Sequence, residues 1–136
     1  MTTSTPSTAS SASPSTPIVL ITGGSRGLGR SAALAAARTG IDVVLTYRQQ
    51  ATEAQAVVAE ITALGRRAVA LPLDVGDVRS FEGFAAQLTQ ALQTHWQRER
   101  FDFLVNNAGM GVHAPITDTT EAQFDALVNV HLKGVF

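Results

Sequence analysis

Short apolar runs alternate with longer helical patterns along the chain from residue 18 onward. Four of the runs are rich in Val, Leu and Ile and show little polar alternation, which is typical of parallel strands buried on both faces. We predict these strands over residues 18–22, 41–47, 67–73 and 101–106.

The segments between the strands carry apolar residues at helical spacing. We predict helices over residues 28–39, 50–64 and 77–100. Gly65 is placed to end the second helix. A fourth helix is expected to begin near Thr119 or Thr120 and to run to the last residue, since Thr120 and Gln123 fit a capping box.

This alternation predicts an α/β fold in which right-handed crossovers build one parallel sheet with helices on both faces. Four strands in the order 3-2-1-4 form the first part of a doubly wound, Rossmann-like sheet, so we expect an incomplete version of that sheet. We assign residues 18–136 to one dinucleotide-binding domain. Ligands of such sheets bind beyond the carboxyl ends of the strands, where the candidate residues below are found.

Composition narrows the class of protein. Of the 136 residues, 45% are hydrophobic, which is enough for one core. The charged residues are scattered along the chain and sum to −1, which argues against a nucleic-acid partner. There is no cysteine for a disulfide or a thiolate metal site, and no apolar run approaches the roughly 20 residues that span a membrane. Residues 1–17 are mostly Ser, Thr, Ala and Pro, which predicts a disordered leader without a secretory signal and hence a cytoplasmic protein.

The first predicted strand leads into a glycine-rich turn that precedes a helix. Gly23 is expected to turn the chain, Gly27 to let the backbone approach a diphosphate, and Gly29 to bring helix and strand close together. The helix start would add free N–H groups and a partial positive charge. By itself, such a turn is equally compatible with an ordinary strand–helix connection.

Four segments of this chain resemble motifs of the short-chain dehydrogenases/reductases. The segment Thr22-Gly23-Gly24-Ser25-Arg26-Gly27-Leu28-Gly29 is similar to their Thr-Gly-x-x-x-Gly-x-Gly cofactor motif. Asn106-Asn107-Ala108-Gly109 is similar to their Asn-Asn-Ala-Gly motif, and Asp74-Val75 to their adenine-binding pair. Asn129 matches the helix asparagine of their catalytic tetrad. The resemblance covers about residues 18–136.

The resemblance implies an oxidoreductase that interconverts a carbonyl and an alcohol of a small molecule by hydride transfer, and that forms a homo-oligomer. Asp74 would accept a hydrogen bond from the adenine amino group, or alternatively cap the helix that follows. Asn106 and Asn107 would brace neighbouring loops and approach the cofactor ribose, while Asn129 would bind a backbone carbonyl and a water in a proton relay. The full candidate cofactor set is Thr22, Gly23, Ser25, Arg26, Gly27, Leu28, Gly29, Tyr47, Arg48, Asp74, Val75, Asn106, Asn107, Ala108 and Gly109.

The residues after the second strand favour NADP(H) over NAD(H). An NAD site places Asp or Glu there to bind the ribose hydroxyls, but this chain has Tyr47 and Arg48, and Glu53 lies inside the next helix. Arg26 and Arg48 could both face a 2′-phosphate, which a guanidinium group binds in a bidentate manner. Alternatively, both are solvated surface arginines.

The three histidines show no metal-ligand spacing, so no metal site is predicted. His131 is expected to lie on a helix face with no role of its own. His113, in the loop after the fourth strand, is kept as a minor candidate for substrate contact.

The catalytic Ser and the Tyr-x-x-x-Lys pair of the family have no counterpart in this chain. Tyr47 is its only tyrosine, Lys133 its only lysine, and no serine follows Ser80. We therefore expect the chain to be the N-terminal, cofactor-binding half of a longer oxidoreductase, truncated before those residues and inactive alone. A non-catalytic dinucleotide-binding module and an inactive truncated product stay open as alternatives.

Overall fold

The computed structural model of the protein describes residues 15–136. Their strands form one four-stranded sheet in the order β3-β2-β1-β4, and each neighbouring pair is parallel. The strands are β1 (Ile18–Ile21), β2 (Asp42–Tyr47), β3 (Ala68–Pro72) and β4 (Phe103–Val105). The predicted α/β class and strand order are therefore confirmed, although each strand is one to three residues shorter than predicted.

Four α-helices connect and follow the strands of the described chain. They are α1 (Gly27–Arg38), α2 (Ala51–Ala63), α3 (Phe81–Trp96) and α4 (Glu121–Val128). The chain continues from α4 into a π-helical turn, Asn129–Lys133. This turn replaces the last part of the regular helix that the sequence predicts.

The sheet is covered on both faces, because successive side chains of a strand point to opposite sides. The layer between one face and the helices α1 and α2 contains Val19, Ile21, Val43 and Leu45 of the strands with Leu34 and Ile61 of the helices. The layer between the other face and α3 contains Ile18, Leu20 and Val44 of the strands with Leu88 and Leu92 of the helix. Each fully buried aliphatic side chain contributes about 1.5–3 kcal/mol of transfer free energy, so these two layers hold the sheet in place.

Helix α3 is shorter at both ends than the predicted range of 77–100. At its end, Gln97 adopts a left-handed conformation with φ of 53°, which stops the helix. At its start, a 3₁₀ turn at Val78–Ser80 precedes Phe81, and Asp77 caps that turn by accepting from the Arg79 N–H. The cap that the sequence left open for Asp74 is therefore made by Asp77.

The capping box predicted at the start of α4 is confirmed. The Thr120 side chain accepts from the Gln123 N–H at 3.2 Å, and the Gln123 side chain accepts from the Thr120 N–H at 2.9 Å. Two donors that the first helical turn leaves without partners are thus satisfied locally, which fixes where the helix begins.

Most of the predicted leader, residues 1–14, lies outside the described residues. Its last part belongs to the fold, since the Pro17 carbonyl accepts from the Asp42 N–H at 2.9 Å and the Thr16 carbonyl accepts from Arg98 at 3.2 Å. Residues 16 and 17 of the predicted leader thus contact the fold. Within residues 15–136, none of the helices combines the length and apolar character required to cross a membrane.

Two carboxylates tie the amino ends of the strands together. The Asp42 side chain accepts from the Trp96 indole at 2.8 Å and from the Arg67 N–H at 2.9 Å, which joins β2 to α3 and β3. The Asp102 side chain accepts from the Ile18 N–H at 2.8 Å and forms an ion pair with Arg98 at 2.9 Å. Hydrogen bonds from Arg98, and then from the Ile18 backbone, hold the pKa of Asp102 below its usual range.

The Asp102 contacts predict that the stability of the fold decreases at acidic pH. Because the pKa of this carboxyl is lower in the folded than in the unfolded chain, its contribution is present above about pH 3.9 and is lost as the pH falls through the folded value. We expect the Asp102→Asn variant to melt below the wild type at pH 7, with the gap closing as the pH falls below about 4. Thermal melts over this range test it, with the exposed Asp125→Asn as control. A gap that is constant with pH would contradict the assignment.

Candidate functional site

The carboxyl ends of the strands surround a cleft of about 320 Å³. The glycine-rich turn after β1, the first residue after β2 and the loops after β3 and β4 all contribute to its wall. The structure brings six of the predicted residues together there, namely Arg26, Arg48, Asp74, Val75, Ala108 and Gly109. They come from four separate parts of the chain, and only the parallel sheet places them side by side.

The glycines of the turn differ in what they do. Gly23 and Gly27 have φ values of +67° and +56°, a region that side chains with a Cβ atom rarely adopt. A Cβ atom at Gly29 would lie 2.1 Å from the Gly23 carbonyl oxygen, so α1 can approach β1 only because Gly29 has no side chain. Sequence reasoning missed Gly24, where a Cβ atom would lie 2.6 Å from that of Leu45.

Thr22 and Asn107 form an internal brace between the loops after β1 and β4. The Thr22 hydroxyl oxygen accepts from the backbone N–H groups of Asn107 at 3.1 Å and Ala108 at 3.0 Å. In return, the Asn107 amide donates to the carbonyls of Thr22 and Gly23, both at 3.0 Å. These two predicted cofactor residues therefore shape the cleft by holding its loops, which matches the bracing role that the sequence left open for Asn107.

The start of α1 is open to an anion. Arg26 occupies the N-cap position without making a side-chain cap hydrogen bond, and the first turn of the helix has no acidic residue. The first N–H groups of the helix, from Gly27 to Gly29, consequently lack helical acceptors and add partial positive charge. Gly27 also leaves the space above the turn empty, because nothing lies within 4 Å of where its Cβ atom would be.

Positive charge dominates the β1–β2 side of the cleft. Arg26 and Arg48 both line it and are exposed, and neither guanidinium belongs to any ion pair found in residues 15–136. On the β3 side, the Asp74 carboxylate accepts from the Gly76 N–H at 2.9 Å and stays exposed. The site therefore combines two available guanidinium groups with one carboxylate at a distinct position.

Several predicted residues do not reach this cleft. Tyr47 packs against the core layer under α1 and α2, and Asn106 is exposed. Leu28 leaves 83% of its surface exposed on the outside of α1, whereas Ser25 is buried beneath the turn. Asn129 lies at a separate groove, beside Asp77 and Lys133.

The structure also reveals a contact that the sequence did not predict. His131 lies in the π-helical turn, and its Nε2 atom is 2.7 Å from the carbonyl oxygen of Met110 in the wall of the cleft. No sequence signal marks this pair, which is separated by 21 residues.

A second and larger groove, of about 550 Å³, lies at the opposite, amino ends of the strands. Its arginines are already engaged within the fold. Arg98 pairs with Asp102, Arg67 donates to the His95 carbonyl, and Arg66 donates to the carbonyls of Gly40 and Gly65. Size alone therefore does not select the functional site.

Comparison with known proteins agrees with the geometry. The family model described as short chain dehydrogenase matches residues 17–136. The chain belongs to the short-chain dehydrogenase family. The resemblance carried by the glycine-rich turn and the Asn-Asn-Ala-Gly segment is thus confirmed.

Curated relatives of the chain are reductases and dehydrogenases. It is 38% identical over 120 residues to a 3-oxoacyl-[acyl-carrier-protein] reductase from Synechocystis sp., a match that covers 88% of this chain and 46% of that protein. It is 36% identical over 118 residues to an L-rhamnose 1-dehydrogenase (NAD(P)(+)) from Sphingomonas sp., covering 87% and 44%. The chain spans about half the length of the curated relatives it matches.

Solved structures give the same result for the fold. A short chain dehydrogenase from Burkholderia cenocepacia in complex with NADP is 39% identical and superposes with a TM-score of 0.77, covering 88% of this chain and 46% of that one. The promiscuous reductase LugOII, which catalyses keto-reduction in lugdunomycin biosynthesis, is 32% identical with a TM-score of 0.83, covering 88% and 50%. The Rossmann-like sheet of this chain is therefore that of the family.

Proposed function

We propose that this chain is the cofactor-binding part of an NADP(H)-dependent oxidoreductase that interconverts a carbonyl and an alcohol by hydride transfer. Residues 18–136 form its dinucleotide-binding domain, and the cleft receives the adenosine end of the cofactor. The substrate is a small molecule, and the protein works as a homo-oligomer in the cytoplasm.

The observation that carries the proposal is the pair of guanidinium groups, Arg26 and Arg48, which form no ion pair with any residue of the range 15–136 and lie beside the open start of α1. A nicotinamide dinucleotide phosphate carries a diphosphate and a 2′-phosphate, and these anionic groups match the helix N–H donors and the two arginines respectively. The NADP held by the solved relative from Burkholderia supports the same choice.

Each part of the cleft has one task in this proposal. The turn at Gly27 and the N–H groups of α1 bind the diphosphate, and Arg26 and Arg48 bind the 2′-phosphate. Asp74 accepts from the adenine amino group, while Thr22 and Asn107 hold the two loops at a fixed separation. The nicotinamide supplies the hydride chemistry, and the protein supplies orientation and electrostatics.

Cofactor preference gives the direct test. We expect the wild-type chain to bind NADPH more tightly than NADH, because a charge-assisted contact contributes about 1.5–3 kcal/mol, or one to two decades of affinity. The Arg48→Asp variant should lose about one to two decades of NADPH affinity while its NADH affinity changes little. Calorimetric titration of both cofactors measures this, with Arg100→Asp as an exposed control away from the cleft. A wild-type preference for NADH would contradict the assignment.

A second candidate function is a non-catalytic NADP(H)-binding module. It is favoured by one observation, that no tyrosine or lysine of the described chain lines the cleft. Both candidates bind the cofactor, and neither predicts turnover by this chain alone, so they are separated by turnover in a longer protein that carries it. NADPH oxidation by such a protein with a panel of ketones and aldehydes would exclude the binding module.

A further inference from the structure

The His131 ring lies directly against the glycine-rich loop after β4. Its Nε2 atom is 2.7 Å from the Met110 carbonyl oxygen and 3.2 Å from the Met110 nitrogen. A Cβ atom at Gly109 would lie 2.9 Å from the Cε1 atom of the ring, so the imidazole packs on the backbone there. Both Gly109 and Met110 also line the cleft.

One ring nitrogen cannot donate and accept with the same residue at once. The contact with the carbonyl oxygen is shorter by half an ångström and falls in the normal range of a hydrogen bond, whereas the contact with the amide nitrogen is at its outer limit. We assign the proton to Nε2, which then donates to the Met110 carbonyl.

The turn that carries His131 also packs against the loop after β3. A Cβ atom at Gly134 would lie 2.2 Å from the Val75 carbonyl oxygen, and one at Gly76 would lie 3.0 Å from the Val130 side chain. Residues 129–134 therefore contact the wall of the cleft at two places, Val75 and Met110. The width of the cleft depends on how the turn holds these two parts of its wall.

We propose that His131 is a positioning residue of the cofactor site. Its hydrogen bond to Met110 fixes segment 108–111 as one wall of the cleft, at the distance from Asp74 and Val75 that the cofactor needs. Within this turn, Val130 lines the cleft and His131 contacts its wall at Met110, whereas Asn129 lies at the neighbouring groove. The inference rests on the function proposed above.

Variants at this position separate the hydrogen bond from the packing of the ring. His131→Phe keeps a ring against Gly109 but has no donor, and His131→Gln keeps an amide donor at a similar reach. We expect the Phe variant to bind NADPH about five- to tenfold more weakly and the Gln variant to stay within about twofold of the wild type. Leu132→Ala, an exposed residue of the same turn, is the control and should change nothing.

Two measurements are made on the 136-residue chain: calorimetric titration with NADPH, and amide hydrogen exchange of segment 108–111 without nucleotide. Exchange should accelerate in the Phe variant and return towards the wild-type rate in the Gln variant. If the Phe variant fails to fold, His131→Ala replaces it in the same comparison.

The outcomes are distinguishable. If the wild type binds NADPH and the Phe variant equals it in affinity and exchange, the positioning role is overturned while the proposed function stands. Failure of the Gln variant to restore both readouts likewise overturns the hydrogen-bond argument. If the wild type binds neither NADPH nor NADH, the proposed function fails, and the cofactor-site role of His131 fails with it. Exchange then shows whether His131 still holds the segment.

Discussion

Replacing Gly29 with alanine should lower the melting temperature of the protein by about 10–20 °C. The added Cβ atom would lie 2.1 Å from the Gly23 carbonyl oxygen and 2.5 Å from the Asn107 amide. Neither neighbour is free to move, because the amide donates to the carbonyls of Thr22 and Gly23.

The cost has two sources. Overpacking a tight contact costs about 1–3 kcal/mol, and the two Asn107 hydrogen bonds contribute about 1 kcal/mol each. Together these are about 3–5 kcal/mol, against a total stability of about 5–15 kcal/mol for a domain of ordinary size. The Gly29→Ala variant should therefore lose a large share of the stability of the domain.

Gly83→Ala is the matched control for this experiment. Gly83 lies inside α3, and nothing lies within 4 Å of where its Cβ atom would be. Alanine there should stabilise the helix by about 0.5–1 kcal/mol, because it restricts the unfolded chain. Thermal melts by circular dichroism measure both variants. Equal melting temperatures for the two would mean that the close approach of α1 to β1 is not required.

The arrangement of the sheet could be predicted because the sequence patterns that cause it lie in short, continuous segments of the chain. The strands that occupy the centre of the sheet are continuous apolar runs, as in Ile18–Ile21, whose four residues are all buried. Strands of this kind need cover on both faces, and the helical patterns between them supply it. The capping box at Thr120 was predictable for the same reason, since both partners lie within one turn.

Contacts between distant parts of the chain could not be predicted. His131 and Met110 are in contact only because a π-helical turn places the ring over the loop after β4, and no periodicity of the sequence predicts that turn. Tyr47 is the opposite case. Its position at the end of the second strand suggested a place in the cleft, but its side chain packs on the core. The helix ends differ from the predicted ones because single residues there, such as Gln97, adopt a conformation outside the helical region.

The two arginines of the cleft were candidates from their residue type, and the structure adds where they lie. Their residue type suggested a phosphate, and an arginine on any surface would suggest it equally. The structure adds that Arg26 and Arg48, which are 22 positions apart in the chain, line one cleft without ion pairs to other described residues. This convergence separates a candidate binding pair from ordinary solvated side chains.

Replacing Gly27 with valine should abolish NADPH binding while the fold survives. Nothing lies within 4 Å of where a Cβ atom at Gly27 would be, so the valine Cβ atom meets no protein atom and the side chain extends towards the place proposed for the diphosphate. Loss of two charge-assisted contacts from the helix N–H groups would cost about 3–6 kcal/mol, or two to four decades of affinity.

Backbone strain must be separated from this steric effect. Gly27 has a φ of +56°, so valine also adds about 1–3 kcal/mol of strain to the folded state. Gly65 has a φ of +80°, equally open surroundings and a position at the end of α2, so Gly65→Val carries similar strain away from the cleft. Both variants should melt at similar, lower temperatures, but only Gly27→Val should lose NADPH in calorimetric titration. Retained NADPH affinity in the Gly27→Val variant would mean that the diphosphate does not bind at this turn.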